Sequence, residues 1–166
     1  VNGFCPFRRL KNEFIEPTLI FRAYLKLHDM NNWIIPSNSS KFDLAKFLSK
    51  YNNEVDWKQS ANFEVGDVVY IYCTKPEMRI RYKMNVIATD IPSSKAKIDK
   101  KFWSDEAELK KGMEYNRYFR MELVSETNSD LLTMDELHRQ GVKGYFYGPR
   151  TIDRELSMYI DKAFNK

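Results

Sequence analysis

Apolar and polar side chains alternate most regularly in the middle of the chain, over residues 79–86. The apolar positions there are Ile80, Tyr82, Met84 and Val86, and the positions between them are polar or basic. A period of two residues is typical of a β-strand with one buried face. Shorter runs rich in aromatic and β-branched residues predict further strands at residues 33–36, 68–72 (behind a turn at Gly66-Asp67), 119–123 and 145–147, with Pro36 ending the first of them.

Apolar residues at helical spacing mark several of the segments between these strands. The clearest set, Leu44, Phe47, Leu48 and Tyr51, predicts an amphipathic helix over residues 42–51 with candidate caps among residues 37–40. Capping and stop signals predict short helices at residues 104–112 and 133–141, and a last helix follows residue 149. Because the helices are few and short, the pattern predicts an α+β fold, a small mixed β-barrel flanked by short helices rather than a doubly wound parallel sheet.

Residues 1–30 carry a separate pattern. The apolar residues Leu19, Ile20, Ala23, Tyr24 and Leu27 recur at helical spacing behind Pro17. We therefore expect an N-terminal extension, helical in part, at residues 1–30 and one domain over residues 31–166. Because the chain begins with Val1, we also expect it to be part of a longer protein.

Composition narrows the class of protein. The chain has 166 residues, of which 43% are hydrophobic and 14% aromatic, enough to build a core and to exclude a disordered chain. It has no apolar run of the length that a membrane span needs and no secretory signal. Two cysteines are too few for a disulfide scaffold, so we expect a cytoplasmic protein with no membrane partner.

The sequence offers no convincing catalytic centre. It contains neither a GxxxxGKS/T loop nor a GxGxxG motif, and His28 and His138 are better explained as surface residues. Three acid-x-Lys triplets begin at Asp56, Asp99 and Glu108, but none stands behind a second acid on a predicted strand, as a metal-dependent nuclease would need. We therefore expect no catalytic residue, no metal and no cofactor.

Positive charge is concentrated between residues 79 and 120. This span holds eleven basic and six acidic residues, whereas the net charge of the whole chain is +4. Such an excess predicts contact with a polyanion, because phosphate contacts dominate nucleic-acid affinity; a solvated charged surface is the alternative. The candidate phosphate contacts are Arg79, Arg81, Lys83, Lys100, Lys101 and Arg150.

Two tryptophans stand in polar surroundings. Trp57 lies between an acid and a lysine in a segment that we interpret as a loop, and Trp103 follows a basic stretch. Each indole either fixes its loop to the core or stacks on a planar ligand such as a nucleobase, an interaction worth about 1–3 kcal/mol per base. Trp33, in a predicted strand, is better explained as a core residue but is kept as a possible base contact. The polar candidates for the edge of a base are Ser37, Asn38 and Gln59.

The order of these motifs resembles that of EVE domains, members of the PUA-like superfamily that also includes YTH and ASCH domains. The matching segments are the strand and polar turn at residues 33–38, the helix at 42–51, the tetrapeptide at 56–59, the strand with its Gly-Asp turn at 65–72, and residues 145–149 with the final helix. The resemblance covers roughly residues 32–164. It implies a small β-barrel flanked by helices.

The resemblance also implies a function. EVE-like domains bind nucleic acid with a modified base, which is flipped into an aromatic cage and bound through hydrogen bonds at its edge. Trp57 matches the cage position, Trp103 a second wall, and Ser37 and Asn38 the polar contacts. The partner implied is double-stranded DNA, with the domain as the specificity module of a restriction system and a nuclease or NTPase fused to it or acting with it.

Three alternatives remain open from the sequence. The domain could bind modified RNA, as YTH and ASCH relatives suggest. It could be a nuclease with an unrecognised carboxylate site. It could also be a protein-interaction module that docks a partner through its N-terminal helix. The sequence does not name the modified base.

Overall fold

The computed structural model describes residues 30–165, so the expected extension at residues 1–30 lies outside the described residues except for Met30. The strands in this part are β1 (Asn32–Ser37), β2 (Glu54–Lys58), β3 (Val68–Cys73), β4 (Arg79–Pro92), β5 (Arg117–Glu126) and β6 (Arg150–Ile152). The α-helices are α1 (Leu44–Lys50), α2 (Glu106–Met113), α3 (Met134–Arg139) and α4 (Arg154–Phe164), and short 3-10 helices lie at Ser93–Lys95, Lys100–Phe102 and Asp130–Leu132. Over residues 30–165, no helix combines the length and apolar character that crossing a membrane requires.

The strands form one mixed sheet in the order β2-β5-β4-β3-β1-β6. β1 and β3 are parallel, and every other neighbouring pair is antiparallel. The register between β4 and β5 shifts at three places, and bulges of this kind bend a sheet and increase its twist. The curled sheet with short peripheral helices confirms the predicted α+β class.

Alternation along the strands gives the sheet two buried faces. In β1, Trp33 and Ile35 join one apolar cluster, which contains Phe47 of α1, while Ile34 joins the other, which contains Ile160 of α4. Helices therefore cover both faces. Each fully buried side chain of this size contributes about 1.5–3 kcal/mol of burial free energy.

Trp33 is a core residue, as its place in a predicted strand indicated, and it does not line the cleft described below, so its position gives no support to a base contact. It is 9% exposed, and its ring packs on Phe63 with the centroids 4.6 Å apart. Its indole Nε1–H donates to Asp67 Oδ2 at 2.8 Å. Asp67, in the turn before β3, also accepts from the backbone N–H of Asn31 and of Glu64. The turn and Phe63 thus hold the ring within the core.

Two local predictions differ from the structure. Residues 54–58 form strand β2 rather than a loop, because β2 pairs with β5 along its whole length. The aromatic triplet at residues 145–147 is not a strand; the edge of β1 is occupied instead by β6, three residues further on. β6 pairs only as far as Ile34, so Pro36 fits inside β1 where no strand flanks it on that side.

Candidate nucleic-acid interface

A cleft of about 560 Å³ opens where β1 ends. The volume falls within the range of small-molecule sites in proteins. Most of the lining comes from five places in the chain: the end of β1 and the turn after it, β2, the loop before α2, α2 itself and the loop before β6.

Four of the six predicted base contacts line this cleft. They are Ser37, Asn38, Trp57 and Trp103. The first two lie at the end of β1, Trp57 lies on β2, and Trp103 follows the 3-10 helix Lys100–Phe102. The fold thus brings together side chains that are remote in sequence.

Phe42 joins the two indoles. Its ring lies 5.9 Å from that of Trp57 in an edge-on arrangement and 4.8 Å from that of Trp103 at an interplanar angle of 35°. An isolated β-bridge between Phe42 and Trp103 fixes the backbone as well. Both indoles are partly buried against the core and also line the cleft, so each one anchors its segment and presents a surface to the cleft. The sequence did not single out Phe42.

Polar groups lie at the end of β1. Ser37 is 4% exposed, and its hydroxyl makes no hydrogen bond to any other residue in the range 30–165. The side-chain oxygen of Asn38 accepts from the backbone N–H and the hydroxyl of Ser40, at 3.0 and 2.6 Å. This turn fixes the amide of Asn38 and leaves its NH₂ group for a ligand.

A buried ion pair supports the cleft beneath Trp57. The Asp56 carboxylate is fully buried and accepts from Arg120 Nε at 2.6 Å and from Arg120 Nη2 at 2.9 Å. It also accepts from the backbone N–H of Lys97 at 2.7 Å, and the Lys97 ammonium pairs with Glu54. One carboxylate therefore joins β2 and β5 to the loop that carries Trp103.

A second anchor holds the same loop against α1. Asp99 accepts from Lys50 Nζ at 2.6 Å and from the Tyr51 hydroxyl at 2.9 Å. The Lys50 ammonium, the backbone N–H of Lys101 and the Tyr51 hydroxyl lower the pKa of Asp99 to about 2. Phe102 packs edge-on against Phe47 of α1. The loop that carries Trp103 is thus held in place in the absence of a ligand.

Gln59, the other predicted edge contact, does not line the cleft, so the structure gives its prediction no support. It is 8% exposed, and its side-chain oxygen accepts from the backbone N–H of Asp90 at 2.8 Å. Asp90 has φ +56°, an uncommon conformation for a residue other than glycine, and lies where β4 is irregular against β5. Gln59 therefore supports the bend in β4.

The predicted phosphate contacts fall into two groups. The β4 cations are already paired: Arg79 with Asp130, Arg81 with Glu77 and Lys83 with Asp161. Lys100, Lys101 and Arg150 are exposed, and within the described part of the chain none of them has an acidic partner. The second group is therefore the better placed to meet phosphates.

The acids of the three acid-x-Lys triplets are engaged by cations. Asp56 is paired with Arg120, Asp99 with Lys50, and Glu108 with Lys41 at 3.2 Å. A hydrogen bond from Lys41 lowers the pKa of Glu108. In the range 30–165, no group of three or more His, Cys, Asp or Glu side chains could hold a metal ion.

Comparison with known proteins gives similarity in structure only: no protein-family model and no curated protein matches the chain. The ASCH protein from Zymomonas mobilis superposes with a TM-score of 0.56 at 10% identity, covering 81% of this chain and 96% of that one. Human THYN1, in complex with DNA containing 5-methylcytosine, gives 0.55 at 10% identity, covering 82% and 98%. A hypothetical protein from Leishmania major gives 0.54 at 17% identity, covering 83% and 96%.

The fold is PUA-like. At these identities the structural similarity establishes the fold alone, and that fold is the one predicted from the sequence. It does not single out an EVE domain among PUA-like domains. The cleft described above lies within the PUA-like domain, at the end of β1.

Proposed function

We propose that this PUA-like domain binds nucleic acid by taking up one base in the cleft and that it selects a modified base. The observation that carries the proposal is the convergence of Trp57, Trp103, Ser37 and Asn38 on one cleft of about 560 Å³. Indoles supply stacking surfaces, and the hydroxyl and amide supply hydrogen bonds to the edge of a base.

The two kinds of contact have different roles. Stacking on an aromatic ring is worth about 1–3 kcal/mol per base and accepts any base. Selection therefore depends on the hydroxyl of Ser37, the amide of Asn38 and the apolar lining, which includes Ile35 and Leu109. Burying one added methyl group contributes about 0.8 kcal/mol, or about four-fold in affinity.

DNA is the first partner to test. Human THYN1, which shares the fold, has been crystallised with DNA that contains 5-methylcytosine. A base in a duplex must leave the stack to enter a cleft, at a cost of a few kcal/mol. Lys100 and Lys101, exposed cations in the segment just before Trp103, would offset this cost through phosphate contacts.

We further propose that the domain serves as the specificity module of a restriction system, with the cleavage supplied by a fused or partner nuclease or NTPase. The acids of the three acid-x-Lys triplets are all engaged by cations, which favours binding over catalysis by this domain. A preference for modified RNA over modified DNA would instead favour the YTH-like alternative.

A binding panel tests the proposal. Fluorescence anisotropy is measured with duplexes carrying cytosine, 5-methylcytosine, 5-hydroxymethylcytosine or N6-methyladenine at one position, and with matched RNAs. We expect one modified duplex to bind best. Trp57→Ala should weaken its binding about ten-fold or more, and Trp57→Phe less, because a smaller aromatic surface remains.

Trp33→Phe is the matched control. It removes an indole outside the cleft and leaves the Asp67 carboxylate with one partner fewer, so thermal stability should fall while the affinity of the folded protein stays unchanged. Equal affinities for modified and unmodified nucleic acid would overturn the selection of a modified base. An unchanged affinity of folded Trp57→Ala would overturn the use of this cleft.

A further inference from the structure

The loop at residues 143–150, which precedes and enters β6, forms one lip of the cleft through residues 146–149. Its sequence is KGYFYGPR, with cations at both ends and no acidic residue. Tyr147, at its tip, lines the cleft yet is 91% exposed. A large aromatic ring is therefore held in solvent at the mouth of the proposed binding site.

Three contacts hold the loop in place. Phe146 is 5% exposed and packs on Tyr72 of β3 with the ring centroids 5.2 Å apart. The Arg150 guanidinium donates to the Lys143 carbonyl at 3.0 Å and so closes the loop at its base. The His138 ring lies 3.0 Å from the Gly144 carbonyl. Tyr147 thus projects from an anchored backbone.

The ring of Tyr147 has no evident role in folding. It belongs to neither apolar cluster, and its hydroxyl bonds to no other described residue. Tyr145, two residues earlier, provides a contrast: it is 52% exposed, packs edge-on against His138 at 5.7 Å and does not line the cleft. Exposed aromatic rings beside cations are typical of surfaces that stack on the bases of nucleic acid and contact its backbone.

We infer that Tyr147 forms a second stacking site, which contacts the base next to the one bound in the cleft, while Lys143 and Arg150 contact the flanking phosphates. The inference rests on the proposed function, since it needs one base in the cleft. Tyr147 is too exposed to be a wall of the cleft, but it stands at the mouth, where the chain of a bound nucleotide must leave. Within residues 30–165, neither Lys143 nor Arg150 has an acidic partner, so both cations are available to phosphates.

A double-mutant cycle between protein and DNA tests the inference. The full chain and its Tyr147→Ala variant are titrated against the modified duplex that binds best in the panel above and against the same duplex with an abasic site on the 5′ or the 3′ side of the modified base. With the intact duplex, we expect Tyr147→Ala to bind about ten-fold more weakly, as the loss of one stacked base predicts. On the abasic duplex of the contacted side, the two proteins should bind alike.

Tyr147→Phe should behave as the wild type, because the ring remains, and Tyr145→Ala should leave affinity unchanged. Equal binding of the intact duplex by wild type and Tyr147→Ala would overturn the inference. So would a ten-fold loss that persists on both abasic duplexes, since Tyr147 would then contact the base in the cleft. The proposed function fails separately, if the wild type binds no modified nucleic acid of the panel better than the unmodified one or if folded Trp57→Ala binds as tightly as the wild type.

Discussion

Removal of the buried Asp56 carboxylate should destabilise the domain more than removal of any exposed charged side chain. Asp56→Ala deletes a fully buried group that accepts two hydrogen bonds from Arg120 and one from the backbone of Lys97. Breaking a buried pair by deleting one partner costs about 3–5 kcal/mol. The Arg120 side chain is 24% exposed, so water partly solvates the orphaned guanidinium, and we expect a loss of about 3 kcal/mol.

Urea unfolding followed by circular dichroism measures this loss. In a domain of this size each kcal/mol shifts the melting temperature by about 2–4 °C, so Asp56→Ala should melt about 6–12 °C lower. Asp56→Ala, Arg120→Ala and the double variant form a thermodynamic cycle. The double variant should be less destabilised than the sum of the single variants, because it leaves no unpaired buried charge. Hydrogen exchange of the Lys97 amide should quicken in Asp56→Ala.

Two results would refute this reasoning. A loss below about 1 kcal/mol would mean that the pair behaves as a solvated surface ion pair. Additive effects of the two single variants would mean that Asp56 and Arg120 do not act together. Either result would leave Asp99, bonded to Lys50 and Tyr51, as the main polar anchor of the loop that carries Trp103.

Three further predictions concern phosphate contacts, pH and thiol reactivity. Lys100→Ala/Lys101→Ala should weaken binding to all sequences alike and reduce the slope of log K against log salt by about 2, whereas an unchanged slope would remove these lysines from the interface. The pKa of Asp99 is about 2 in the folded state against an ordinary 3.8, so its ionised carboxylate stabilises the fold. This stabilisation is fully present above pH 3.8 and is lost as the pH falls through 2. Asp99→Asn should therefore be less stable than wild type at pH 7 in urea titrations, with the difference closing between pH 4 and 2; a constant difference would contradict this. Burial raises the pKa of the Cys73 thiol to about 12, so a Cys5→Ser variant should react with a thiol reagent at pH 8 only after unfolding, and rapid labelling of the native protein would disprove the buried position.

The parts of the fold that local pattern encodes were predictable. β4 and β5 follow from the period of two residues, and α4 from its apolar face. β2 was missed because Asp56 and its polar neighbours look like a loop. The partner that lets this acid lie in a buried strand, Arg120, is 64 residues away and is visible only in the structure.

Part of the candidate site was also predictable from local sequence context. Trp57 and Trp103 stood out because an indole in a polar stretch needs an explanation, and both line the cleft. Trp33 and Gln59 lie outside the cleft, and the sequence could not show this because their partners, Asp67 and Asp90, are more than 30 residues away in sequence. Long-range hydrogen bonds decided which polar and aromatic side chains remained for a ligand.

The most direct test of the account uses the three tryptophans, which give three indole N–H signals in a proton–nitrogen NMR spectrum. Single Trp→Phe variants assign the signals, and the protein is then titrated with the modified duplex that binds best in the panel. If a base enters the cleft, the signals of Trp57 and Trp103 should shift on binding while that of Trp33, held by Asp67, should stay in place. Saturable binding that leaves Trp57 and Trp103 unmoved would contradict the claim that a base enters this cleft.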